Sequence, residues 1–571
     1  MDKGKEQGRH IILIRAAATV LLAGMLLQPD TALSAPVPPA LEEVARVSSG
    51  AQMERAREAM ERERIAEQLR EGREARGARV EQDAEAEREK AAAVRFHLQK
   101  VNMNDSAVLS PEEIAEITGA YIGKEVSLND LYELVEAINK RYAAKGYMTC
   151  RAFLPPQKIY AGEVAIRLVE GRTGTVTFTG NKHTKEAYLA GSFALRAGEI
   201  ANTDTLAREL QHFNASHDAQ LRMVMRAGKE PGTTDYEIRV YEPKRNESMT
   251  LFTDNSGYDS SGRWREGIYY ANRSVSGYRD SLRAYFQHSL GSDAWGLAYS
   301  APLNRHGMKL DLDYSGNQTE IKKGALRDRH VAGNAWALGA TLRILFLADR
   351  HRRYETGLQL IRQHSSTEFG RHTATRFPLL NDHTVRMIPY LAFTHYGDTS
   401  VVYHRHSLAR THRKDITGDS RDTWNYQLGA FYQKRYKSGQ LLQARFDGQF
   451  ASARYQELAS SDRFYIGGVN SVRGYEESLL AGEDGLSASL EYHVPLVPAN
   501  NVKALAFFDY GRIYGETARK DANMLVSAGV GVTASVKDVN ASLMLGIPLK
   551  REIGGEKVDR ARLHFALSAT F

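Results

Sequence analysis

The sequence contains a single cysteine, Cys150, among 571 residues. That excludes an intramolecular disulfide, so the fold must be held by packing and hydrogen bonding, and Cys150 itself is expected to be a core residue. Long apolar runs are scarce as well. Although 42% of the residues are hydrophobic, no internal stretch is long and apolar enough for a transmembrane helix. A nucleic-acid footprint is missing too: the net charge is +7, but lysines and arginines alternate with acids and nowhere cluster with interleaved aromatics. No nucleic-acid partner is expected. The sequence holds no nucleophile elbow. The run "GVGVTA", Gly529 to Ala534, lacks the strand-to-helix context of a phosphate loop. These absences argue against an enzyme and against a resident cofactor or metal.

At the N-terminus, Lys3, Lys5, Arg9 and Arg15 precede the apolar run Ala16 to Leu27, and "TALSAP" then offers small residues near Ala35. This order of charge, apolar run and small residues predicts a removed secretory signal over 1–35. Residues 36–93 are expected to hold a short, plug-like helix and a charged linker. Within Pro39 to Met53, Leu41, Val44 and Val47 recur at three-residue spacing. The tract 54–92 is charge-dense, rich in helix formers and interrupted by Gly72 and Gly77. So polar a segment has no core of its own and must be solvated, unstructured or held in a wet cavity; a linker is expected.

Past residue 94 the texture changes. "VRFHLQKVNM" alternates as a strand, Ser110 and Pro111 open a helix, and Ser127 to Gly146 reads as a second helix. That helix puts Leu128, Leu131, Val135, Ile138 and Tyr142 on one stripe, opens with the Ser127-x-x-Asp130 capping pattern and stops at a glycine. The strands "YMTCRAFLP" and "GEVAIRLVEG" follow, closing a unit over 94–171. The same order of strand, two helices and two strands recurs over 172–243, so the two units form an internal repeat.

From 244 to 571 the chain is strand after strand. "QLLQARFDGQF" places Leu442, Ala444, Phe446 and Phe450 opposite Gln443, Arg445, Asp447 and Gln449; "SASLEYHV" repeats the pattern. An apolar face backed by a charged face fits a membrane barrel with a polar lumen. About sixteen candidate strands, an even number, predict a closed antiparallel all-β barrel. The last strand sets Leu563, Phe565, Leu567, Ala569 and Phe571 on one face. His404 and His406 share a strand face but have no further ligand at a suitable spacing, so a lumen or loop position is expected rather than a metal site.

Between a strand ending near Tyr455 and one beginning near Leu486 lies a long connection, the segment most expected to carry function. It contains Gly467 and Gly468, then Val472, Arg473, Gly474 and Tyr475. Further on, "AFFDYGRIY" sets Phe507, Asp509 and Gly511 on one strand face. A guanidinium entering a confined lumen needs a carboxylate, and its planar fork allows bidentate pairing.

Both α+β units resemble POTRA domains, the first more closely, through "GYMTCRAFLPPQKIYAGEVAIRLVEG". The Val472-Arg473-Gly474-Tyr475 loop resembles the signature shared by two-partner secretion transporters and their relatives that assemble outer-membrane proteins. The resemblance implies periplasmic POTRA domains ahead of an outer-membrane barrel, a loop folded into that barrel, and an Arg473–Asp509 pair. For the haemolysin-activator and filamentous-haemagglutinin-transporter type it further implies secretion of a large exoprotein bearing an N-terminal secretion domain. Outer-membrane lipid would surround the barrel. Phe571 resembles the terminal signal that delivers barrels to the barrel-assembly machinery. Two alternatives stay open: an assembly-type relative, and a passive porin, which the two periplasmic units disfavour.

Overall fold

The computed structural model describes residues 44, 47–74, 95–371, 373–454, 457–497, 501–515, 518–519 and 521–571. The expected signal segment, Leu41 and the stretch 75–94 lie outside the described residues.

Two small α/β units come first. In the first, Lys100–Met103, Glu163–Glu170 and Cys150–Phe153 form a three-stranded sheet whose first pair is parallel and second antiparallel. The helices Pro111–Gly119 and Leu128–Ala144 accompany it. Each starts at a reciprocal capping box, Ser110 with Glu113 and Ser127 with Asp130, which satisfies backbone N–H groups that the helix leaves unpaired. The predicted stripe is the buried one: Leu131, Ile138 and Tyr142 are fully enclosed, each contributing about 1.5–3 kcal/mol of burial. Cys150 joins this core. One expectation fails here. "VRFHLQKVNM" is not a single strand, because Arg95–His97 pairs with Glu125–Ser127 while Lys100–Met103 joins the main sheet. The change of partner falls at the buried Leu98.

The second unit repeats the plan. Arg172–Thr179, Thr233–Tyr241 and Gln220–Ala227 form its sheet, with the same parallel and antiparallel pairs, and Glu186–Gly191 and Thr203–Ser216 are its helices.

Sixteen antiparallel strands then close a barrel. Its first strand, Glu247–Asp254, pairs with its last, Arg562–Thr570, so no edge is left open. No helix among the described residues is long and apolar enough to cross a membrane; the strands do so. Their outward faces are apolar, as at Leu490, Tyr492 and Val494, while the alternating residues face a polar lumen. The second unit docks on the turns at one mouth: Ser274 Oγ donates to the His183 carbonyl at 2.7 Å, and Arg353 Nε to the Ala215 carbonyl at 3.2 Å. With these units periplasmic, as the POTRA resemblance implies, the other mouth faces outward from the cell.

Two expectations are corrected in the barrel. His404 and His406 lie on the outer wall, sharing the face of the exposed Val402 and Leu408, while Tyr403, Arg405 and Ser407 take the lumen side. His404 Nδ1 lies 2.9 Å from His406 Nε2, and His406 Nδ1 reaches Tyr426 Oη at 2.7 Å. The expected linker is the larger change. Ser49–Glu74 forms one helix threaded through the lumen, so the helix begins near the end of the segment assigned to it and continues through much of the supposed linker.

Candidate functional site

Two elements fill the lumen, the helix Ser49–Glu74 and the connection 452–483. That connection leaves the strand Leu441–Ala451, turns back into the barrel and returns to Asp484–Pro495. A short antiparallel pair, Phe464–Ile466 with Leu480–Gly482, makes it a hairpin, and Gly467 and Gly468 start its tip with left-handed φ values of 113° and 91°. The tip meets the wall backbone to backbone. A Cβ added at Gly546 would lie 2.5 Å from the Gly474 nitrogen, and one at Gly511 would lie 2.7 Å from Val472 Cγ2. Only glycine on the wall lets the loop come this close.

That approach delivers Arg473 to Asp509. Its Nε and Nη2 donate to the two carboxylate oxygens at 2.7 and 2.8 Å, and its backbone N–H donates to Oδ2 at 3.0 Å. The predicted residues Phe507 and Gly511 flank the pair, the Phe507 ring lying 3.6 Å below the guanidinium carbon. Arg473 is 4% exposed and Asp509 0%. Tyr475 is also enclosed, with its hydroxyl 2.8 Å from the Lys550 carbonyl and 2.9 Å from that of Val526.

Sequence reasoning missed three participants. Glu491 accepts from Arg473 Nη1 at 2.5 Å, Ser489 Oγ accepts from Nη2 at 3.0 Å, and His564 Nε2 accepts from the Gly474 N–H at 3.0 Å. A signal for the first two was present. Ser489 and Glu491 lie on the polar face of their strand, and strand register sets them opposite Asp509 and Phe507. Asp509 and Glu491 thus both contact one arginine, and His493 Nε2 lies 2.9 Å from the other oxygen of Glu491.

The plug-like helix is expected within Pro39 to Met53, and its continuation to Glu74 reads as linker because that stretch has no continuous apolar face. Its charges are matched instead by the wall, on four different strands. Arg57 meets Asp313 at 2.5 Å, Arg386 meets Glu54 at 2.6 Å, Arg405 meets Glu61 at 2.9 Å, and Arg283 meets Glu67 at 3.2 Å. Two small apolar contacts add to these: Met53 against Ala335, Ile361 and Ile388, and Ile65 with Leu69 against Tyr390, Tyr396 and Tyr403. The helix also touches the loop: Arg55 stacks over Tyr465 at 4.3 Å, and Arg62 donates to the Asn470 carbonyl at 3.4 Å. Around both elements remains a cavity of about 2090 Å³, lined partly by His217 and Asp218 of the second α/β unit.

A POTRA domain of the ShlB type matches residues 96–171, and the profile of the haemolysin secretion/activation proteins ShlB/FhaC/HecB matches residues 232–534. The chain belongs to this family. It is an outer-membrane transporter of the two-partner secretion class, which secretes partner exoproteins and is not an enzyme. Among its relatives, the heme/hemopexin transporter protein HuxB of Haemophilus influenzae strain 86-028NP is 22% identical over 83% of this chain and 86% of its own length. The outer membrane transporter CdiB of Dickeya dadantii is 23% identical over 80% of this chain and 83% of its own. In fold, the chain is similar to CdiB from Escherichia coli, with a TM-score of 0.69 at 16% identity, covering 92% of this chain and 99% of that one. CdiB from Acinetobacter baumannii gives 0.65 at 17% identity, over 94% and 100%.

Proposed function

We propose that the transporter captures an unfolded exoprotein on its periplasmic POTRA units and passes it through the barrel after the lumen helix has moved aside, with the loop held inside by Arg473. A single observation carries this reading. The helix is held in the lumen chiefly by ion pairs and hydrogen bonds, with apolar contacts only at Met53, Ile65 and Leu69, and in each of its ion pairs at least one partner keeps some exposure to the wet lumen, where water can replace the contact. A helix seated on an apolar groove would be fixed; this one is a removable plug. The loop differs, because Arg473 and Asp509 are enclosed and their separation would strand a buried carboxylate. The helix is thus the moving part and the loop tip the fixed one. The client is a large exoprotein with an N-terminal secretion domain, bound while extended by strand addition or helix-in-groove contacts. Its folding outside the cell supplies the direction of transport. Phe571 would direct the chain to the barrel-assembly machinery during biogenesis.

A disulfide across the lumen tests the moving part. A Cβ built on Gly50 of the helix meets only side-chain atoms and lies 2.9 Å from Ser365 Cβ on the wall, so that after a small shift Gly50→Cys with Ser365→Cys can bridge. The oxidised double variant should insert normally and secrete nothing, with secretion restored by reductant. Secretion at the wild-type level by the oxidised form would refute a mobile helix.

A further inference from the structure

The outer wall carries positive charge where its apolar band ends. On the strand Arg352–Phe369, the exposed Leu358 and Leu360 are followed by outward Arg362 and His364; on Phe377–Tyr396, Met387 and Val385 give way to His383. On Ser400–Lys414, Leu408 is followed by outward Arg410, His412 and Lys414. All six polar groups lie toward the mouth opposite the POTRA units. Register arranges five of them in two rows, Arg362–Val385–His412 and His364–His383–Lys414, with Arg410 beside Met387 one row further in. With neighbouring strands about 4.8 Å apart, each row spans roughly 10 Å.

The charge is only partly neutralised. Asp422 pairs with Arg410 at 2.9 Å and with His412 at 2.8 Å. Glu368, farther along its strand, is already held by Arg376 and Arg371. No ion pair to Arg362 or Lys414 is found among the described residues. The His364 and His383 rings stack at 4.3 Å, keeping the centre of the patch flat. Trp336, 6.2 Å from His364, and Trp424, 5.8 Å below the Arg410 guanidinium, flank it on either side. Tryptophans of this kind mark the level of the lipid headgroups.

Arginine on a lipid-facing wall is unfavourable in hydrocarbon, less so at the interface, and it becomes favourable only where an anion meets it. A guanidinium matches phosphate with two parallel N–H groups, and an ammonium adds a point charge. We propose that this patch is a binding site for the phosphate groups of the phosphorylated glycolipid in the outer leaflet, with Arg362 and Lys414 as its principal contacts and Arg410 shared between lipid and Asp422. The site would fix the barrel's height and anchor the wall between the lumen helix and lipid.

Binding of a diphosphorylated glycolipid to the purified full-length transporter in detergent micelles, followed by native mass spectrometry, tests the assignment. The same glycolipid with its phosphates removed, and phosphatidylglycerol, serve as comparison probes. The wild type should retain the phosphorylated glycolipid at least tenfold better than either probe, and Arg362→Gln with Lys414→Gln should lose that preference. Lys434→Gln, near the opposite mouth, should keep it. Heat-modifiable migration on gels verifies that each variant holds a closed barrel; if the double variant does not, the single variants Arg362→Gln and Lys414→Gln decide the question. Equal retention of the dephosphorylated glycolipid, equal retention of phosphatidylglycerol, or wild-type preference in the variants would each overturn the proposal.

Discussion

Removing the Arg473 side chain isolates the contribution of the loop anchor. Arg473→Ala deletes a bidentate pair to Asp509, the contact with Glu491 and the stacking on Phe507. Breaking a buried ion pair from one side costs about 3–5 kcal/mol. Asp509 would keep two donors, Ser489 Oγ at 2.7 Å and the backbone N–H of residue 473 at 3.0 Å, which places the expected cost at the lower end, about 3 kcal/mol. At about 1.4 kcal/mol per decade, that is roughly a 100-fold shift toward loops that have left the wall. The barrel itself should stand, since every strand keeps its neighbours. Hydrogen exchange at the amides of 467–475 should therefore quicken by about 100-fold, and exoprotein in the medium per transporter in the membrane should fall sharply. Arg473→Lys, which keeps the charge but loses the fork, should lie between. Unchanged exchange together with a wild-type secretion ratio in Arg473→Ala would refute the anchor and leave the arginine without a role in transport.

Deleting 49–74 should raise single-channel conductance in planar bilayers, because the helix occupies the lumen; an unchanged conductance would show that the loop alone sets the pore. A transporter lacking 94–243 should still insert yet export nothing, and normal export would exclude client capture by the POTRA units. In the first POTRA unit, Glu170 accepts from Ser106 Oγ, Tyr142 Oη and the backbone N–H groups of Ala107 and Val108. Burial opposes its charge, but these bonds outweigh that and hold the carboxyl below its ordinary range. Its stabilising contribution should be complete above the unfolded value, about 4.3, and fade as pH falls through the lower folded one. Glu170→Ala should cost about 2 kcal/mol in urea titrations at pH 7 and remove that acid sensitivity; a midpoint equal to wild type would contradict it. Burial also pushes the Cys150 thiol up to about 11, so maleimide should leave it untouched at pH 7 and label it only when that unit unfolds. Labelling of the native protein would mean the unit opens readily.

The sequence alone determined whatever depends on short-range pattern. Period-two alternation, as in Leu442 to Gln449, declares two chemically different wall faces, and the Ser127 and Asp130 pair declares a helix start, because both are set by residues a few positions apart. Arg473 and Asp509 were legible as motif residues through resemblance, though not through any local physics that joins them. Tertiary structure decided the rest. Whether an alternating face meets lipid or lumen depends on how sixteen strands close, which is why His404 and His406 turned out to lie on the outer wall. Glu491 became part of the anchor only when strand pairing set it opposite Phe507. The tract from Glu54 onward carried no continuous apolar stripe because most of its environment is charged, with apolar packing confined to Ile65 and Leu69 against Tyr390, Tyr396 and Tyr403. Its partners, Asp313, Arg386 and Arg405, lie hundreds of positions away on the wall. A helix stabilised by charges of its surroundings has no signature in its own sequence, and only the closed barrel supplies them.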